Sequence, residues 1–277
     1  HKAPSEWTVP FRIPRGRLIV SDIGSESYHI SQFIDHFLKP IMALQPSHIW
    51  DSFHFLSKLR SFTEVTTSTI LVTADVASMY TNIDNKDGLM AVKSLFEKHR
   101  DPSRPDHYIL ELLRICLENN DFLFDGQFWL QISGTAMGKI FAPSYTNLFM
   151  ACVDERFFAH IGYRPPFYAR FLDDIFFVWT EGLSLLRLFI AEFDQAHPSI
   201  KLEWTLSREH ITFLDLTIFK DLSIPSPRAL CTRVHFKPTN TLRLLHKHSF
   251  HPIHTFRGII LGQLSRFYRL CTYPKDI

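Results

Sequence analysis

The feature that most constrains the fold is a pair of adjacent aspartates between two apolar runs. Phe167–Leu172 and Ile175–Thr180 are short segments of aromatic and aliphatic residues, and only Asp173 and Asp174 separate them. Apolar runs of this length joined by two polar residues predict an antiparallel hairpin within a buried sheet. We expect both carboxylates to lie at the tip of that hairpin.

Two neighbouring carboxylates need an explanation, because crowding of like charges raises the pKa of one of them unless a cation is nearby. Asp75 follows a β-branched run, Thr69–Ala74, that predicts a separate buried strand. Neighbouring strands of one sheet would bring Asp75 beside the hairpin, giving three carboxylates of the kind that Mg²⁺ prefers. Two Mg²⁺ ions bound side by side at such a site support in-line displacement at a phosphoryl group. For the Asp-Asp pair taken alone, an ordinary polar turn is the simpler interpretation.

The remaining patterns predict an α+β fold with an antiparallel sheet, because helices and strands do not follow a strict βα alternation. Asp125-Gly126, between Phe122–Phe124 and Phe128–Ile132, is a strong β-hairpin signal. Ser133–Gly138 is a predicted loop. Apolar spacing predicts helices over Ser31–Leu44, Asn85–His99, Asp106–Asn119, Pro143–His160 and Leu183–His197, and alternation predicts strands over Lys201–Leu206 and Ile211–Phe219.

Charge is distributed unevenly along the chain. Its 277 residues have a formal net charge of +2, but the segment from Leu222 to Lys275 holds nine lysines and arginines and no acidic residue. Aromatic side chains such as Phe256 and Phe267 are interleaved with them. A long basic and aromatic segment is typical of surfaces that bind polyanions, so we predict contact with the nucleic-acid backbone there. A solvated basic face without a partner is the alternative.

Composition limits the class of protein. Apolar residues make up 45% of the chain, which is enough for a sizeable core and too much for a disordered protein. The four cysteines form no C-x-x-C pair, which favours a reducing, intracellular compartment over a disulfide framework. No apolar stretch approaches about 18 residues and no signal-peptide pattern is present, so we expect neither membrane insertion nor secretion.

Six segments between Arg15 and Thr272 form an ordered series of motifs. They are RLIVSDIGSESY, LVTADVASMYTNI, GTAMGKIFAPSYTN, ARFLDDIFFVW, ITFLDLTIF and FKPTNTLRLLHKHSFHPIHTFRGIILGQLSRFYRLCT. The middle four resemble the motifs of reverse transcriptases. With the first and last, the whole set is similar to Penelope-like retroelements, a group related to telomerase. The resemblance implies a nuclear right-hand polymerase with fingers, an antiparallel palm sheet and the start of a thumb.

This resemblance implies metal-binding roles at the aspartates. Asp75 matches the first metal ligand of the family, and the carbonyl of Val76 would be a second oxygen ligand. Asp173 matches the other metal-binding aspartate of the family. Asp174 completes the motif and is also counted among the catalytic and metal-binding residues, with a less essential, supporting role. The implied cofactor is two Mg²⁺ ions, for which Mn²⁺ substitutes.

The resemblance also implies contacts with the incoming deoxynucleotide. Tyr80 matches the aromatic residue under the nucleotide sugar, where its ring would exclude a 2′-hydroxyl; a core aromatic is the alternative. Gly134 and Gly138 would let the backbone approach a base closely. Met137 stands where many reverse transcriptases carry glutamine, so it contributes packing without an amide donor. Arg17 matches the arginine that grips the triphosphate, although Leu18 replaces the usual proline.

Two lysines flank the region where the family often has a general acid for the departing pyrophosphate. Lys201 is preferred over Lys220 because its distance from the FLD turn is closer to the expected one, and a solvated strand lysine is an equally good interpretation. Phe213 and Leu214 resemble the primer-grip turn. Basic residues of the acid-free segment are expected to bind the template–primer duplex, in particular Arg257, Arg266 and Arg269. His246, His248, His251 and His254 lack a cysteine partner, and we predict no zinc site there.

The implied organisation divides the chain into five parts: partial fingers (1–68), the first palm strand (69–84), insertion helices and a hairpin (85–132), the rest of the palm (133–221) and a basic thumb-entry segment (222–277). The expected partners are an RNA template, a DNA primer and deoxynucleoside triphosphates, without a membrane. The sequence holds no GIY-YIG endonuclease pattern. Many members of the family carry that domain downstream, so its absence fits either a truncated chain or a lineage without the domain. A non-catalytic nucleic-acid-binding relic and an RNA-templated RNA polymerase are the alternatives; bulky Tyr80 argues against the latter.

Overall fold

The computed structural model describes residues 19–223, 230–241 and 244–276. These residues cluster into two compact units. The larger unit comprises residues 19–50 and 68–207, and the smaller unit comprises residues 51–67 together with the described residues from 208 onwards. Arg17 and Leu18 lie outside the described residues.

The helices and strands alternate irregularly along the described part of the chain. In chain order, the helices are α1 (Tyr28–Ala43), α2 (Ser52–Leu59), α3 (Met79–Asn82), α4 (Asn85–Lys98), α5 (Asp106–Glu118), α6 (Ala142–Ile161), α7 (Leu183–Phe193) and α8 (Ile253–Leu270). The strands are β1 (Ile70–Val76), β2 (Asp121–Phe124), β3 (Gln127–Leu130), β4 (Phe167–Phe171), β5 (Asp174–Trp179), β6 (Leu202–Ser207), β7 (His210–Phe213), β8 (Leu216–Lys220) and β9 (Leu230–Val234).

A four-stranded antiparallel sheet with the order β4-β5-β1-β6 organises the larger unit. The predicted antiparallel sheet is therefore confirmed. Alternate residues of β1, such as Val72 and Ala74, belong to a hydrophobic core that also takes in residues of α1, α4, α5, α6 and α7. Within α6, Tyr145 and Phe149 are both buried. Period-two alternation thus leaves the side chains of Thr73 and Asp75 on the opposite face of the sheet.

The outer edge of β4 is covered by a short stretch of backbone. The Arg170 N–H donates to the carbonyl of Ser47 (2.7 Å), and the Ile49 N–H donates to the carbonyl of Arg170 (3.1 Å). This segment, Ser47–Ile49, therefore satisfies backbone groups that an edge strand would otherwise leave open.

The β2–β3 hairpin is confirmed at the predicted place. Asp125 and Gly126 both have positive φ angles, 51° and 74°, as the primed turns of two-residue hairpins require. Both strands are largely exposed, with Phe128 79% and Ile132, just beyond β3, 86% accessible.

Several boundaries differ from the predictions, and α1 begins at Tyr28, three residues before the predicted Ser31. The hairpin turn in β4–β5 is Leu172-Asp173, so Asp174 is the first residue of β5 instead of part of the tip. The predicted strand over Ile211–Phe219 is broken into β7 and β8 by a turn at Leu214-Asp215, because Leu214 adopts a φ of 54°. Helix α7 ends at Phe193, four residues before the predicted His197.

The smaller unit combines α2 and α8 with a three-stranded antiparallel sheet of order β7-β8-β9. Phe55 of α2 lies against Phe213 of β7, with ring centroids 4.8 Å apart. Strand β9 and helix α8 were not predicted from the sequence. Among the described residues, no helix is both long enough and apolar enough to cross a membrane.

Candidate functional site

Two of the predicted carboxylates are neighbours across the sheet. Asp75, at the end of β1, is directly opposite Asp174, at the start of β5. Directly opposed residues in an antiparallel pair project from the same face, with Cβ atoms about 4.5–5.5 Å apart. Asp75 is exposed and Asp174 is half-buried. Like charges in this position destabilise the sheet unless a cation lies between them.

Asp173 lies in the two-residue turn beside this pair. Its backbone carbonyl accepts a hydrogen bond from the Val76 N–H at 3.1 Å, which joins the turn to the end of β1. The preceding residue, Leu172, has a φ of 53°, a left-handed conformation that costs roughly 1–2 kcal/mol for a residue with a Cβ. The expected proximity of Asp75 to the Asp-Asp pair is therefore confirmed.

A further carboxylate that the sequence analysis did not single out lies in the same row of the sheet. Glu203 of β6 is opposite Asp75 on the other side of β1, so Asp174, Asp75 and Glu203 follow one another across three strands. Glu203 is exposed. The alternation of polar and apolar residues in β6 predicts that Glu203 lies on this face of the sheet. The register between β6 and β1, which puts Glu203 opposite Asp75, could not be predicted from the sequence.

The donor chemistry at this end of the sheet suits a hard divalent cation, since carboxylate and carbonyl oxygens are the ligands that Mg²⁺ prefers. The opposed pair of Asp75 and Asp174 supplies such oxygens from two strands. Within the described ranges, no group of three or more histidine, cysteine, aspartate or glutamate side chains is assembled closely enough to hold a metal ion. A cation here would therefore take further ligands from backbone, water or phosphate.

Tyr80 lies close to these carboxylates. Burial is the main influence that raises its pKa above the usual value; a hydrogen bond with Thr146 of α6 opposes this, and the charge of Asp173 adds to it. The ring is half-buried and packs against the core. Tyr80 thus presents a neutral phenol between α6 and Asp173, a position compatible both with a nucleotide contact and with a core role.

The predicted loop over Ser133–Gly138 contacts the chain at both of its glycines. A Cβ at Gly134 would lie 2.4 Å from the Tyr80 carbonyl oxygen, and a Cβ at Gly138 would lie 1.4 Å from that of Val20. Both glycines therefore permit close backbone contact within the larger unit. Met137, between them, is half-buried.

Lys139, directly after this loop, fixes it to the segment that follows Val20. Its Nζ is 2.8 Å from Oδ1 of Asp22, and both side chains are almost fully buried. The hydroxyl of Ser31 also donates to this carboxylate, at 2.8 Å. Burial alone would raise the pKa of Asp22, but its hydrogen bonds and the charge of Lys139 more than compensate, and the pKa is lowered.

The two candidate lysines lie in different units. The carbonyl of Lys201 accepts a hydrogen bond from the Ala77 N–H at 2.9 Å, which puts exposed Lys201 at the same end of the sheet as Asp75. Lys220 lies in the smaller unit, where its Nζ donates to the carbonyl of Thr67 at 3.1 Å. Burial lowers the pKa of Lys220. Of the two, only Lys201 adjoins the sheet that carries the aspartates, directly before β6.

The primer-grip candidates occupy the β7–β8 turn of the smaller unit. Phe213 is buried, and Leu214 is half-buried in the left-handed conformation. The next residue, Asp215, accepts hydrogen bonds from Nε (3.1 Å) and Nη2 (2.6 Å) of Arg266 and is also bonded to the hydroxyl of Ser52.

The three basic candidates on α8 therefore differ in their surroundings. The guanidinium of Arg266 binds Asp215, and that of Arg269 lies 3.7 Å from the ring centroid of Phe53. Arg257 is exposed. Helix α8 also exposes a row of apolar side chains: Ile253, Ile260, Leu261, Leu264 and Tyr268.

A charged residue within the apolar β4 strand was also missed. Arg170 is completely buried and lies three residues before Asp173. A lone arginine in an apolar strand is a visible sequence signal, but its partners, Asp154 and Asn147 of α6, depend on long-range packing.

Comparison with known proteins shows what the chain resembles. Residues 243–277 match the family model described as an animal helix-turn-helix domain. No curated protein matches the chain.

Solved polymerase structures share the fold. Apo telomerase from Candida tropicalis, truncated from its C-terminal domain, has a TM-score of 0.53 at 14% identity over 70% of this chain and 44% of its own. Telomerase from Candida albicans, in complex with a fragment of telomeric RNA, has a TM-score of 0.58 at 11% identity over 85% and 41%. The BmCPV RNA-dependent RNA polymerase at elongation state has a TM-score of 0.53 at 12% identity over 76% and 20%.

These similarities establish the fold class. The combination of helices and an antiparallel sheet is that of the polymerases represented by telomerase and viral RNA-dependent RNA polymerases. The chain spans less than half the length of each of these structures.

Proposed function

We propose that this chain is the catalytic core of an RNA-directed DNA polymerase of the Penelope-like type, which extends a DNA primer on an RNA template. The register that places Asp75 opposite Asp174, beside Asp173, carries the proposal. It concentrates negative charge at one end of a sheet whose fold is shared with telomerase and viral RNA polymerases.

The residues predicted from the sequence at this end of the sheet have defined tasks in the proposed reaction. Asp75, Asp173 and Asp174, with the carbonyl of Val76 and with water and phosphate oxygens as the remaining ligands, would hold two Mg²⁺ ions. These ions would supply activation of the primer 3′-hydroxyl and stabilisation of the leaving pyrophosphate. Lys201 gives a proton to the departing pyrophosphate.

The deoxynucleotide lies between Tyr80 and the loop that contains Met137 and Gly138. The ring of Tyr80 packs under the sugar and leaves no room for a 2′-hydroxyl. Met137 supplies an apolar contact, and Gly138 keeps the loop close to the chain. Arg17 binds the triphosphate.

In this proposal, the four-stranded sheet is the palm, with residues 1–68 and 85–132 contributing fingers and residues 222–277 leading into the thumb. Phe213 and Leu214 hold the primer 3′ end through their backbone. Exposed Arg257 contacts a phosphate of the template–primer duplex, and Arg266 and Arg269 support the same surface.

Two other functions give different experimental outcomes. An RNA-templated RNA polymerase is favoured by the similarity to viral RNA polymerases, and it would prefer ribonucleotides. A non-catalytic relic would bind the RNA–DNA duplex without extending the primer.

The decisive experiment is primer extension on an RNA template with either deoxynucleotides or ribonucleotides, followed on a denaturing gel. We compare the parent with Asp173→Asn and with Asp125→Asn, a matched change at the exposed tip of the β2–β3 hairpin. We expect deoxynucleotide extension that needs Mg²⁺ or Mn²⁺, stops with chelator, falls by about 10³-fold in Asp173→Asn and persists in Asp125→Asn.

Equal extension by the parent and Asp173→Asn would contradict the proposed role of this carboxylate. Preference for ribonucleotides would support the RNA polymerase. Duplex binding by a parent that never extends the primer would support the non-catalytic relic.

A further inference from the structure

A buried arginine connects the turn that carries Asp173 to the neighbouring helix. Arg170 of β4 has no accessible surface. Its Nε donates to Oδ2 of Asp154 in α6 at 3.1 Å, and Asp154 is itself only 3% exposed. The charge of the guanidinium is thus neutralised on the side that faces away from the turn.

The other end of the guanidinium reaches the turn and a second residue of α6. Nη1 donates to Oδ1 of Asn147 at 2.9 Å and to the carbonyl of Leu172 at 3.3 Å. Nη2 donates to the backbone carbonyl of Asn147 at 3.1 Å. A planar fork with five donors can bond in these directions at once, which a lysine ammonium on its flexible stem cannot reproduce.

The position of Arg170 is fixed through its backbone as well. Its N–H and its carbonyl are both hydrogen-bonded to the Ser47–Ile49 segment, at 2.7 and 3.1 Å. The side chain therefore extends from an anchored strand to the next turn, where Leu172 has the unfavourable positive φ angle.

Fold stability alone is a poor reason for this network. Replacing a buried ion pair by apolar side chains of similar volume is often neutral or stabilising, and Phe167 and Ala169 of the same strand are already buried apolar residues. What an apolar residue cannot do is hold the Leu172 carbonyl in one orientation. That orientation sets the direction in which the chain enters Asp173.

We propose that Arg170 and Asn147 are positioning residues for Asp173. They hold the Leu172-Asp173 turn against α6 so that the Asp173 carboxylate is kept at the end of β1. This inference rests on the proposed polymerase function, in which Asp173 is a metal ligand.

The network contains its own control. The hydroxyl of Tyr168 donates to Oδ1 of Asp154 at 2.7 Å, so Tyr168→Phe removes one buried hydrogen bond at the far end of the network without touching the turn. Asn147→Ala also removes a hydrogen bond to the network and leaves the Arg170–Asp154 pair intact. Arg170→Lys keeps the charge and loses the fork.

The experiment compares these three variants with the parent by three measurements. They are thermal unfolding, Mn²⁺ affinity by electron paramagnetic resonance with an RNA–DNA duplex but no nucleotide, and kcat and KM for deoxynucleotide. We expect Asn147→Ala and Tyr168→Phe to lower the unfolding temperature similarly. Asn147→Ala and Arg170→Lys should lower kcat and Mn²⁺ affinity about 10- to 100-fold, the range for groups that orient metal ligands. KM should change little, and Tyr168→Phe should keep both quantities near the parent.

Parent-like kcat and Mn²⁺ affinity in Asn147→Ala would overturn the inference, as would an equal loss in Tyr168→Phe, which would indicate a structural role only. If the parent shows no extension, the proposed polymerase function fails, and the Mn²⁺ measurement still decides the inference. Weaker Mn²⁺ binding by Asn147→Ala than by Tyr168→Phe supports it, and equal or absent binding overturns it. If Arg170→Lys does not fold, the comparison between Asn147→Ala and Tyr168→Phe remains decisive.

Discussion

The two units each contain a hairpin turn with the sequence Phe-Leu-Asp, and the two turns are used differently. In both turns, the leucine backbone adopts a left-handed conformation, with φ angles of 53° at Leu172 and 54° at Leu214. In both, an arginine side chain donates a hydrogen bond to a residue of the turn. Arg170 is fully buried, whereas Arg266 is 33% exposed. Arg266 binds the aspartate of its own turn, Asp215, while Arg170 binds the leucine carbonyl.

This difference determines which aspartate is available for chemistry. The carboxylate of Asp215 is engaged by Arg266 and Ser52. In the other turn, the guanidinium of Arg170 forms an ion pair with Asp154. The arginine that supports this turn therefore does not neutralise the carboxylate of Asp173. The same local sequence thus gives a turn whose aspartate is paired with an arginine in one unit and a candidate catalytic turn in the other.

The largest expected effect contrasts the two arginine–aspartate pairs. Asp154→Ala leaves Arg170 buried without its counter-ion, and we expect the free energy of unfolding to fall by about 3–5 kcal/mol. Asp215→Ala removes a partly exposed pair and should cost about 1 kcal/mol or less. Urea denaturation followed by circular dichroism measures both, and equal losses would show that burial does not separate the two turns.

A second comparison uses one glycine from each unit. Gly138→Ala places a Cβ 1.4 Å from the Val20 carbonyl oxygen, and we expect a loss of about 1–3 kcal/mol in the free energy of unfolding. Gly258 lies in α8 with open space around its Cβ position, so Gly258→Ala should stabilise the protein by about 0.5–1 kcal/mol. The same urea titrations report both values. A gain in stability from Gly138→Ala would contradict the close approach.

The role of Tyr80 is tested by the selectivity of the proposed polymerase. Tyr80→Val removes ring volume, and we expect discrimination against ribonucleotides to fall by about 10- to 200-fold, as for a lost steric contact of 1–3 kcal/mol. The ratio of kcat/KM for deoxynucleotide and ribonucleotide measures it. Tyr268→Val, at an exposed tyrosine of α8, is the control. Unchanged selectivity in Tyr80→Val would return Tyr80 to a core role.

The smallest expected effect concerns the basic helix of the smaller unit. Arg257→Ala should reduce the slope of log K against log[salt] for RNA–DNA duplex binding by roughly 0.9, the loss of one phosphate contact. Arg269→Ala should reduce it less, because that guanidinium already lies against Phe53. Fluorescence anisotropy at several salt concentrations gives the slopes. A parent-like slope in Arg257→Ala would leave α8 as a solvated face.

Much of the larger unit was predictable because its strands are short apolar runs with clear turn signals. Thr69–Ala74 and the Asp125-Gly126 hairpin follow from local preferences alone. The β4–β5 turn was predicted one residue too late, because aspartates are favoured in turns and Leu172 is not. The carbonyl of Leu172 accepts a hydrogen bond from Arg170, whose other partners, Asp154 and Asn147, lie 16 and 23 residues away along the chain.

The smaller unit was harder to predict for a related reason. Ile211–Phe219 alternates well enough to suggest one strand, and apolar Leu214 hides the turn. The candidate site shows the same limit. Local patterns identified Asp75, Asp173 and Asp174, whereas the place of Glu203 depends on strand register and the bond between Asn147 and Arg170 depends on helix packing, which no local pattern contains.

The Ser47–Ile49 segment affects the tendency of this protein to self-associate. By bonding to both backbone groups of Arg170, it occupies the hydrogen-bonding sites near the C-terminal end of the β4 edge, so that the strand of another molecule cannot pair there. Open sheet edges promote the growth of intermolecular sheets, so this cover protects the strand before the aspartates from aggregation. A chain that loses it, for instance through a proline at position 49 that removes the N–H donor, would become prone to self-association at the very edge that supports its candidate site.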